Sequence, residues 1–102
     1  MKRGIFNKYV NYVCSEIGVS KKELFSKSRA ERLSTARFLL YAVCHQRPMS
    51  IIQIVDLMSE NGYNITRQNV EYGISKINQS EDIDVLNFID SAVDYCSEET
   101  IA

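Results

Sequence analysis

The chain contains few of the residues that interrupt a helix. One proline and four glycines are spread over 102 residues, and tryptophan is absent. Because proline and glycine most often end or distort helices, their scarcity favours a mostly helical protein with short connections. No apolar run approaches the ~18 residues of a membrane span, and the opening MKRGIFNKYV lacks the long apolar stretch of a signal peptide. We therefore expect a cytoplasmic protein with no membrane partner.

Cysteine and histidine are too few and too scattered to predict a metal site. Cys14, Cys44 and Cys96 lie far apart, no C-x-x-C occurs, and His45 is the only histidine. A zinc site needs about four N or S ligands at characteristic spacings. We expect no metal and no cofactor, with the cysteines acting as small apolar residues in a reducing compartment. Adjacent helical residues such as Cys44 and His45 point in different directions, so we do not expect an enzyme.

Charge is unevenly distributed along an otherwise ordinary globular composition. Hydrophobic residues make up 45% of the chain, which excludes a disordered composition, and the length suffices for one domain with a modest core. Residues 1–50 contain ten Lys or Arg and three acidic residues, a net charge of +7, whereas residues 51–102 contain two and ten, a net charge of -8. This asymmetry favours a basic surface for a polyanion. Alternatively, basic and acidic helices pack side by side and neutralise one another.

The spacing of apolar residues by three and four predicts an all-α fold with about six helices. The predicted helices cover residues 5–17, 20–25, 30–46, 51–60, 66–79 and 82–96. The helix at 30–46 is rich in apolar residues on several sides, so we expect it to be the central helix. Pro48 disfavours helical geometry at Arg47 and should end it.

Local signals predict where the other helices begin and end. Gly18 can adopt the left-handed conformation that stops the first helix. Ser20 and Ser50 each precede a Glu or Gln by three residues, the spacing of a capping box. Thr66 can cap the helix that follows it. Between the fourth and fifth helices, the Asn-Gly pair at residues 61–62 provides two natural positive-φ positions.

The last predicted helix is acidic. From Ser80 onwards there are seven acidic residues and no basic residue. We expect residues 80–102 to form a C-terminal helix packed on the domain of residues 1–79. Four apolar residues should face inward: Ile83, Leu86, Ile89 and Val93. The outer face is either solvated, a site for a protein partner, or an element that weakens non-specific DNA binding.

The helices at 51–60 and 66–79, joined by a short turn, have the arrangement of a helix-turn-helix. In that motif the N-terminal residues of the second helix enter the major groove of DNA. Here Arg67, Gln68 and Asn69 occupy that first turn. Arginine forms paired hydrogen bonds with guanine, and Asn or Gln does so with adenine. Polar residues are also common in any solvated first turn, so both interpretations stay open.

A basic cluster lies upstream of this helix pair. Lys27, Arg29 and Arg32 are near the start of the long helix, with Arg29 and Arg32 expected on one face, and Arg37 lies further along. Such a cluster is typical of phosphate neutralisation, which supplies much of the affinity of DNA-binding domains. Alternatively it is a solvated basic face, paired with the acidic helix.

Two of the six tyrosines flank residues 67–69, the helical turn that is proposed to contact bases. Tyr63 precedes it and Tyr72 follows it. We consider these two as stacking platforms for bases. The other four have the helical spacing of core or rim residues.

The segment VCSEIGVSKKELFSKSRAERLSTARFLLYAV, residues 13–43, resembles the opening of the C-terminal DNA-binding domain of the bacterial replication initiator DnaA. ELFSKSR, the AR at residues 36–37, MSIIQIVDLM and SKI follow in that family's order, over roughly residues 10–79. The resemblance implies a Trp-repressor-like helix-turn-helix that binds double-stranded DNA, in replication or transcription control of a phage, mobile element or bacterium. Because no GxxxxGK[ST] run is present, we expect a free-standing copy without the initiator's ATPase module.

The resemblance also implies roles for individual residues. Arg29 falls where the family places an arginine in the minor groove, and Arg37 falls at the long-helix arginine that contacts phosphate. Ser50 matches the residue that starts the first helix of the pair, where backbone amides approach phosphate. Thr66 replaces a capping Asp, and residues 67–69 replace the His-Thr-Thr of the family's GGRDHTTV, where this chain has GYNITRQNV. A changed target sequence is therefore expected.

A second interpretation belongs to a different functional class. The chain can be a protein-interaction or structural module that retains the initiator-like fold and has lost DNA binding. The low net charge of -1 and the acidic C-terminal helix favour this interpretation.

Overall fold

The computed structural model describes the backbone of residues 3–47 and 49–101, and side chains as far as residue 94. In this part of the chain there are six helices and no strand: α1 (Arg3–Ile17), α2 (Lys21–Leu24), α3 (Glu31–Gln46), α4 (Ile51–Glu60), α5 (Arg67–Asn78) and α6 (Ile83–Ile101). The predicted all-α fold is confirmed, and α6 is longer than predicted. Pro48, expected to end α3, lies outside the described residues, as does the side chain of Cys96.

The residues expected to bound the helices do so. Gly18 has φ +80° directly after α1. Ser20 and Ser50 each close a capping box, and Thr66 caps α5. In the turn between α4 and α5, Gly62 takes φ +85°, whereas Asn61 has φ -95° and ends α4. The prediction of two positive-φ positions was wrong for Asn61, because the single reversal at the glycine is sufficient to turn the chain.

The core is built around α3, as predicted for a central helix. It contacts each of the other five described helices. Its fully buried apolar residues include Ala36, Leu40, Val43 and Cys44. Among the described helices, none combines the length and the apolar character that crossing a membrane requires.

The approach of α5 to α3 depends on a glycine. Gly73 lies beneath two aromatic rings of α3, and a Cβ built on it would be 2.6 Å from Cδ1 of Phe38 and 3.0 Å from Cδ2 of Tyr41. Three apolar residues on the same side of α5 are also buried: Val70, Ile74 and Ile77. This packing sets the rotation of α5 about its own axis, and therefore determines which of its residues face away from the core.

The acidic helix α6 packs on α1 and α3; the predicted inward position of Ile89 is confirmed, but the buried face is rotated from the predicted one. Ile89 and Ala92 are buried, and Phe88 packs against Tyr12 with ring centres 5.5 Å apart. The expected inward positions of two residues were wrong, because Ile83 is 63% exposed and Leu86 is 46% exposed. The predicted set of inward residues and the set that packs on the core both have helical spacing. The set that packs on the core includes Phe88, whose aromatic ring has the larger apolar area to remove from water. Val93 is partly buried.

Candidate nucleic-acid interface

Arg37, expected to contact phosphate, is a buried structural residue. Only 3% of it is exposed. Its Nε donates to the carbonyl oxygen of Leu24 at 2.7 Å and its Nη1 to that of Ser28 at 2.8 Å. Its Nη2 donates to the carbonyl oxygens of Ser26 at 2.8 Å and Glu23 at 3.3 Å. The expectation of a phosphate contact was wrong, because the buried guanidinium is occupied by hydrogen bonds to four backbone carbonyls.

These hydrogen bonds hold the segment that we call the basic loop, residues 26–30. The loop also has hydrogen bonds between residues close in sequence. Ser26 Oγ donates to the Glu23 carbonyl at 2.6 Å and accepts from the Ser28 backbone N–H at 3.3 Å. With the carbonyls of Ser26 and Ser28 directed at Arg37, the side chains of Lys27 and Arg29 are exposed. Arg37 is therefore a positioning residue for two of the predicted phosphate contacts.

Arg37 also connects the basic loop to the turn between α4 and α5. Its guanidinium carbon lies 4.6 Å from the centre of the Tyr63 ring, within the range of a cation–π contact. The ring of Tyr63, one of the two proposed stacking residues, is partly buried by this contact. The basic loop and the turn are thus fixed relative to each other.

Two adjoining grooves lie where these segments meet α5. The first, the aromatic groove, has a volume of about 330 Å³ and is bounded by rings from α3, the turn and α5, with a cation and an amide at its edge: Phe38, Tyr41, Tyr63, Tyr72, Arg29 and Asn69. The second, the loop groove, has a volume of about 420 Å³ and is lined by Lys27, Arg29, Gly62, Tyr63 and Asn64. Three predicted site residues, Lys27, Arg29 and Asn69, are therefore brought to one side of α5.

The outer face of α5 lies opposite its buried stripe. Helical periodicity places Gln68, Tyr72 and Ser75 on that face, and all three are exposed. Arg67 is exposed in the first turn beside it. Within the described residues, the side chains of Arg67 and Gln68 have no intramolecular hydrogen bond or ion pair. These two side chains are therefore available to a ligand.

Asn69 has a different position from its neighbours, because it completes a third capping box. The Thr66 hydroxyl accepts from the Asn69 backbone N–H at 3.2 Å, and Oδ1 of Asn69 accepts from the Thr66 backbone N–H at 3.4 Å. A paired contact with adenine uses both ends of the amide. Asn69 would have to give up its bond to the Thr66 backbone to direct Oδ1 at a base, whereas Gln68 would not.

Arg32 is not brought together with the other basic residues. Helix α3 begins at Glu31, so Arg29 precedes the helix and does not share a helical face with Arg32, contrary to the prediction. Nη2 of Arg32 donates to the Ile17 carbonyl at 2.7 Å, at the C-terminal end of α1. A cation there complements the partial negative charge of the helix end. Arg32 is exposed but lines neither of the two grooves.

The start of α4 lies on the other side of α5. Ser50 Oγ accepts from the Gln53 backbone N–H at 3.1 Å, and Gln53 Oε1 accepts from the Ser50 backbone N–H at 2.9 Å. The next residue, Ile51, lines a groove of about 410 Å³ together with Glu71 and Ser75 of α5. The outer face of α5 is therefore flanked by the start of α4 on one side and by the basic loop on the other.

One residue at this surface was missed by the sequence interpretation. Lys76 is exposed, and its Nζ lies 5.8 Å from the centre of the Tyr72 ring. The spacing of four residues between Tyr72 and Lys76 on a helix was a usable signal. It adds a cation beside the aromatic groove.

Comparisons of the chain with models of protein families, with curated proteins and with solved structures found no match. The function is therefore inferred from the surface of the molecule.

Proposed function

We propose that the chain binds double-stranded DNA in a sequence-specific manner through an initiator-like helix-turn-helix formed by α4 and α5. The observation that carries the proposal is the position of α5, whose outer face is flanked by the basic loop and by the capped start of α4. A helix inserted in the major groove has a phosphate backbone on each side. The basic loop on one side of α5 and the start of α4 on the other are suited to donate hydrogen bonds to these two backbones.

The residues divide into two groups by their expected contacts. Arg67 and Gln68, which are exposed at the start of α5, are proposed to contact base edges. Lys27 and Arg29 of the basic loop are proposed to contact phosphate, and the first amides of α4, next to Ser50, approach the opposite strand. Arg37 acts only through the loop that it holds.

The test begins with selection of bound duplexes from a random pool, using the full chain, followed by titration at several salt concentrations. We expect the logarithm of the binding constant to fall linearly with the logarithm of salt. Lys27→Ala and Arg29→Ala should each reduce the slope by about 0.9 for all sequences. Arg67→Ala and Gln68→Ala should relax base preference, with a cost of about 1–3 kcal/mol on the selected site.

The matched control is Lys22→Ala, which removes an exposed cation of α2 that lines neither groove. It should leave the slope and the base preference unchanged. Absence of binding to any duplex at ~50 mM salt, where phosphate contacts are strongest, would refute the proposal.

The surface of α6 favours a second candidate function, binding of a protein partner. Ile83 and Leu86 are exposed on a helix whose described exposed residues include Asp84 and Asp90. Apolar residues surrounded by carboxylates suit a basic, partly apolar partner. Capture of such a partner that is lost in Ile83→Gln and Leu86→Gln, but retained in Arg29→Ala and Arg67→Ala, would favour this function over DNA binding.

A further inference from the structure

We infer that the aromatic groove and the loop groove together bind single-stranded nucleic acid, with an unpaired base stacked on Tyr72. This goes beyond the proposed function, because the occupant is a single strand whose unpaired base stacks on Tyr72, and not a duplex whose base edges are contacted by the first turn of α5. The two sites share the cations of the basic loop and differ in the groups that contact bases.

The first argument is the state of the Tyr72 ring. The residue is 57% exposed, yet its ring contacts Phe38, with centres 5.9 Å apart and planes at 79°, and Nζ of Lys76 lies over it, 5.8 Å from the ring centre. An exposed aromatic ring that is already fixed loses little conformational entropy when a base stacks on it. Stacking on aromatic side chains is the main source of base contact in single-strand binding proteins, because every base has a π face.

The second argument is charge. The aromatic groove and the loop groove share Arg29 and Tyr63, and Lys27 lines the far end of the loop groove. The chain has thirteen acidic residues, but none of those described lines either groove. The groove on the opposite side of α5, by contrast, contains Glu71. Cations that no carboxylate neutralises can bind the phosphates of a strand, and the adjacent aromatic rings can stack with its bases.

The third argument is the rigidity and size of the site. Its floor is the contact between Arg37 and Tyr63, and Arg37 is held by four backbone carbonyls. A volume of about 330 Å³ suits a single nucleotide better than a longer segment. In a duplex the faces of the bases are stacked on each other, so only an unpaired base offers a face to Tyr72.

The test measures fluorescence anisotropy of a labelled twelve-residue oligothymidylate titrated with the full chain at ~50 mM salt. Tyr72→Ala should weaken binding roughly 5- to 100-fold, as expected for the loss of one stacked base. Tyr72→Phe keeps the ring and should bind within about twofold of the parent chain, since stacking uses the π face. Lys22→Ala, which removes an exposed cation of α2 outside both grooves, should bind like the parent chain. Circular dichroism checks that each variant is folded.

Three outcomes would overturn the inference: no binding of the oligonucleotide, equal binding by the parent chain and Tyr72→Ala, or equal affinity for free thymidine 5′-monophosphate, which has one phosphate and no phosphodiester chain to extend from the aromatic groove into the loop groove. Failure of the duplex proposal is distinguishable. Single-strand binding that depends on Tyr72, with no duplex bound, would refute only the helix-turn-helix function. Duplex binding that depends on Gln68, with no oligonucleotide bound, would refute only this inference.

Discussion

The guanidinium of Arg37 lies 4.6 Å from the centre of the Tyr63 ring and connects the basic loop to the turn before α5. Its side chain donates hydrogen bonds to four backbone carbonyl oxygens between residues 23 and 28. One side chain therefore determines where Lys27 and Arg29 stand relative to α5. Arginine therefore has different surroundings at two positions near the grooves: Arg37 is buried against backbone carbonyls, whereas the side chain of Arg29 is exposed.

Arg37→Ala should lower the free energy of unfolding by about 3 kcal/mol, because it removes the charge-assisted hydrogen bonds of a buried guanidinium to four backbone carbonyls. Arg37→Lys should also destabilise, since an ammonium cannot reproduce the geometry of the guanidinium fork. Urea denaturation measures both. Arg29→Ala, at an exposed position, is the control and should change stability by no more than about 0.5 kcal/mol. Equal stability of Arg37→Ala and Arg29→Ala would contradict the structural role.

Gly73→Ala should destabilise the fold by about 1–3 kcal/mol, although alanine is the better helix former. The added Cβ would stand 2.6 Å from Phe38 Cδ1 and push α5 away from α3. Gly4→Ala in α1 is the matched control, because its Cβ would meet nothing within 4 Å, and it should be neutral or stabilising. Thermal unfolding of the two variants distinguishes the steric effect of the added Cβ from the effect of helix propensity. A Gly73→Ala variant more stable than the parent chain would contradict the prediction, because it would show that α5 can move away from α3 without a loss of stability.

The loss of folding stability at low pH should depend in part on Glu23. Its pKa is lowered because its carboxylate accepts a hydrogen bond from the Ser20 backbone N–H at 3.0 Å. A carboxyl whose pKa is lower in the folded state stabilises above its unfolded pKa, and this contribution is lost as pH falls from near 4.5 through the lowered value. Glu23→Gln can keep the capping box without titrating.

Denaturation midpoints of the two chains from pH 7 to pH 2 provide the measurement. The parent chain should lose more stability on acidification than Glu23→Gln. Some acid sensitivity should persist in the variant, because Arg3 also lowers the pKa of Glu60. Parallel curves for the two chains would rule out a contribution of Glu23.

The helices were predictable from sequence because local chemistry sets their boundaries. Ser20, Ser50 and Thr66 act on backbone N–H groups three residues away, and Gly18 acts on its own φ angle. None of these interactions depends on a distant part of the chain. Tertiary packing, by contrast, determines the burial of Arg37 and the exposure of Ile83 and Leu86, which were predicted wrongly.

For the candidate site, the sequence indicated Lys27, Arg29 and Asn69, which lie close together. It did not predict that Arg29 is exposed and Arg37 buried, because both are arginines of one basic cluster in the sequence. Only the fold shows that Arg37 faces the carbonyls of the basic loop. Arg32 was misplaced for a related reason, since the helix begins two residues after Arg29.

The rotation of α6 leads to the last prediction. Ile89→Ala should lower the free energy of unfolding by about 2–4 kcal/mol, because Ile89 is 4% exposed and its truncation leaves a cavity against the core. Leu86→Gln is the comparison, since Leu86 is 46% exposed and a polar side chain can remain in water there. It should change stability by no more than about 0.5 kcal/mol. Urea denaturation of both variants decides which stripe faces inward, because the alternative rotation, with Leu86 buried, would make Leu86→Gln as destabilising as Ile89→Ala.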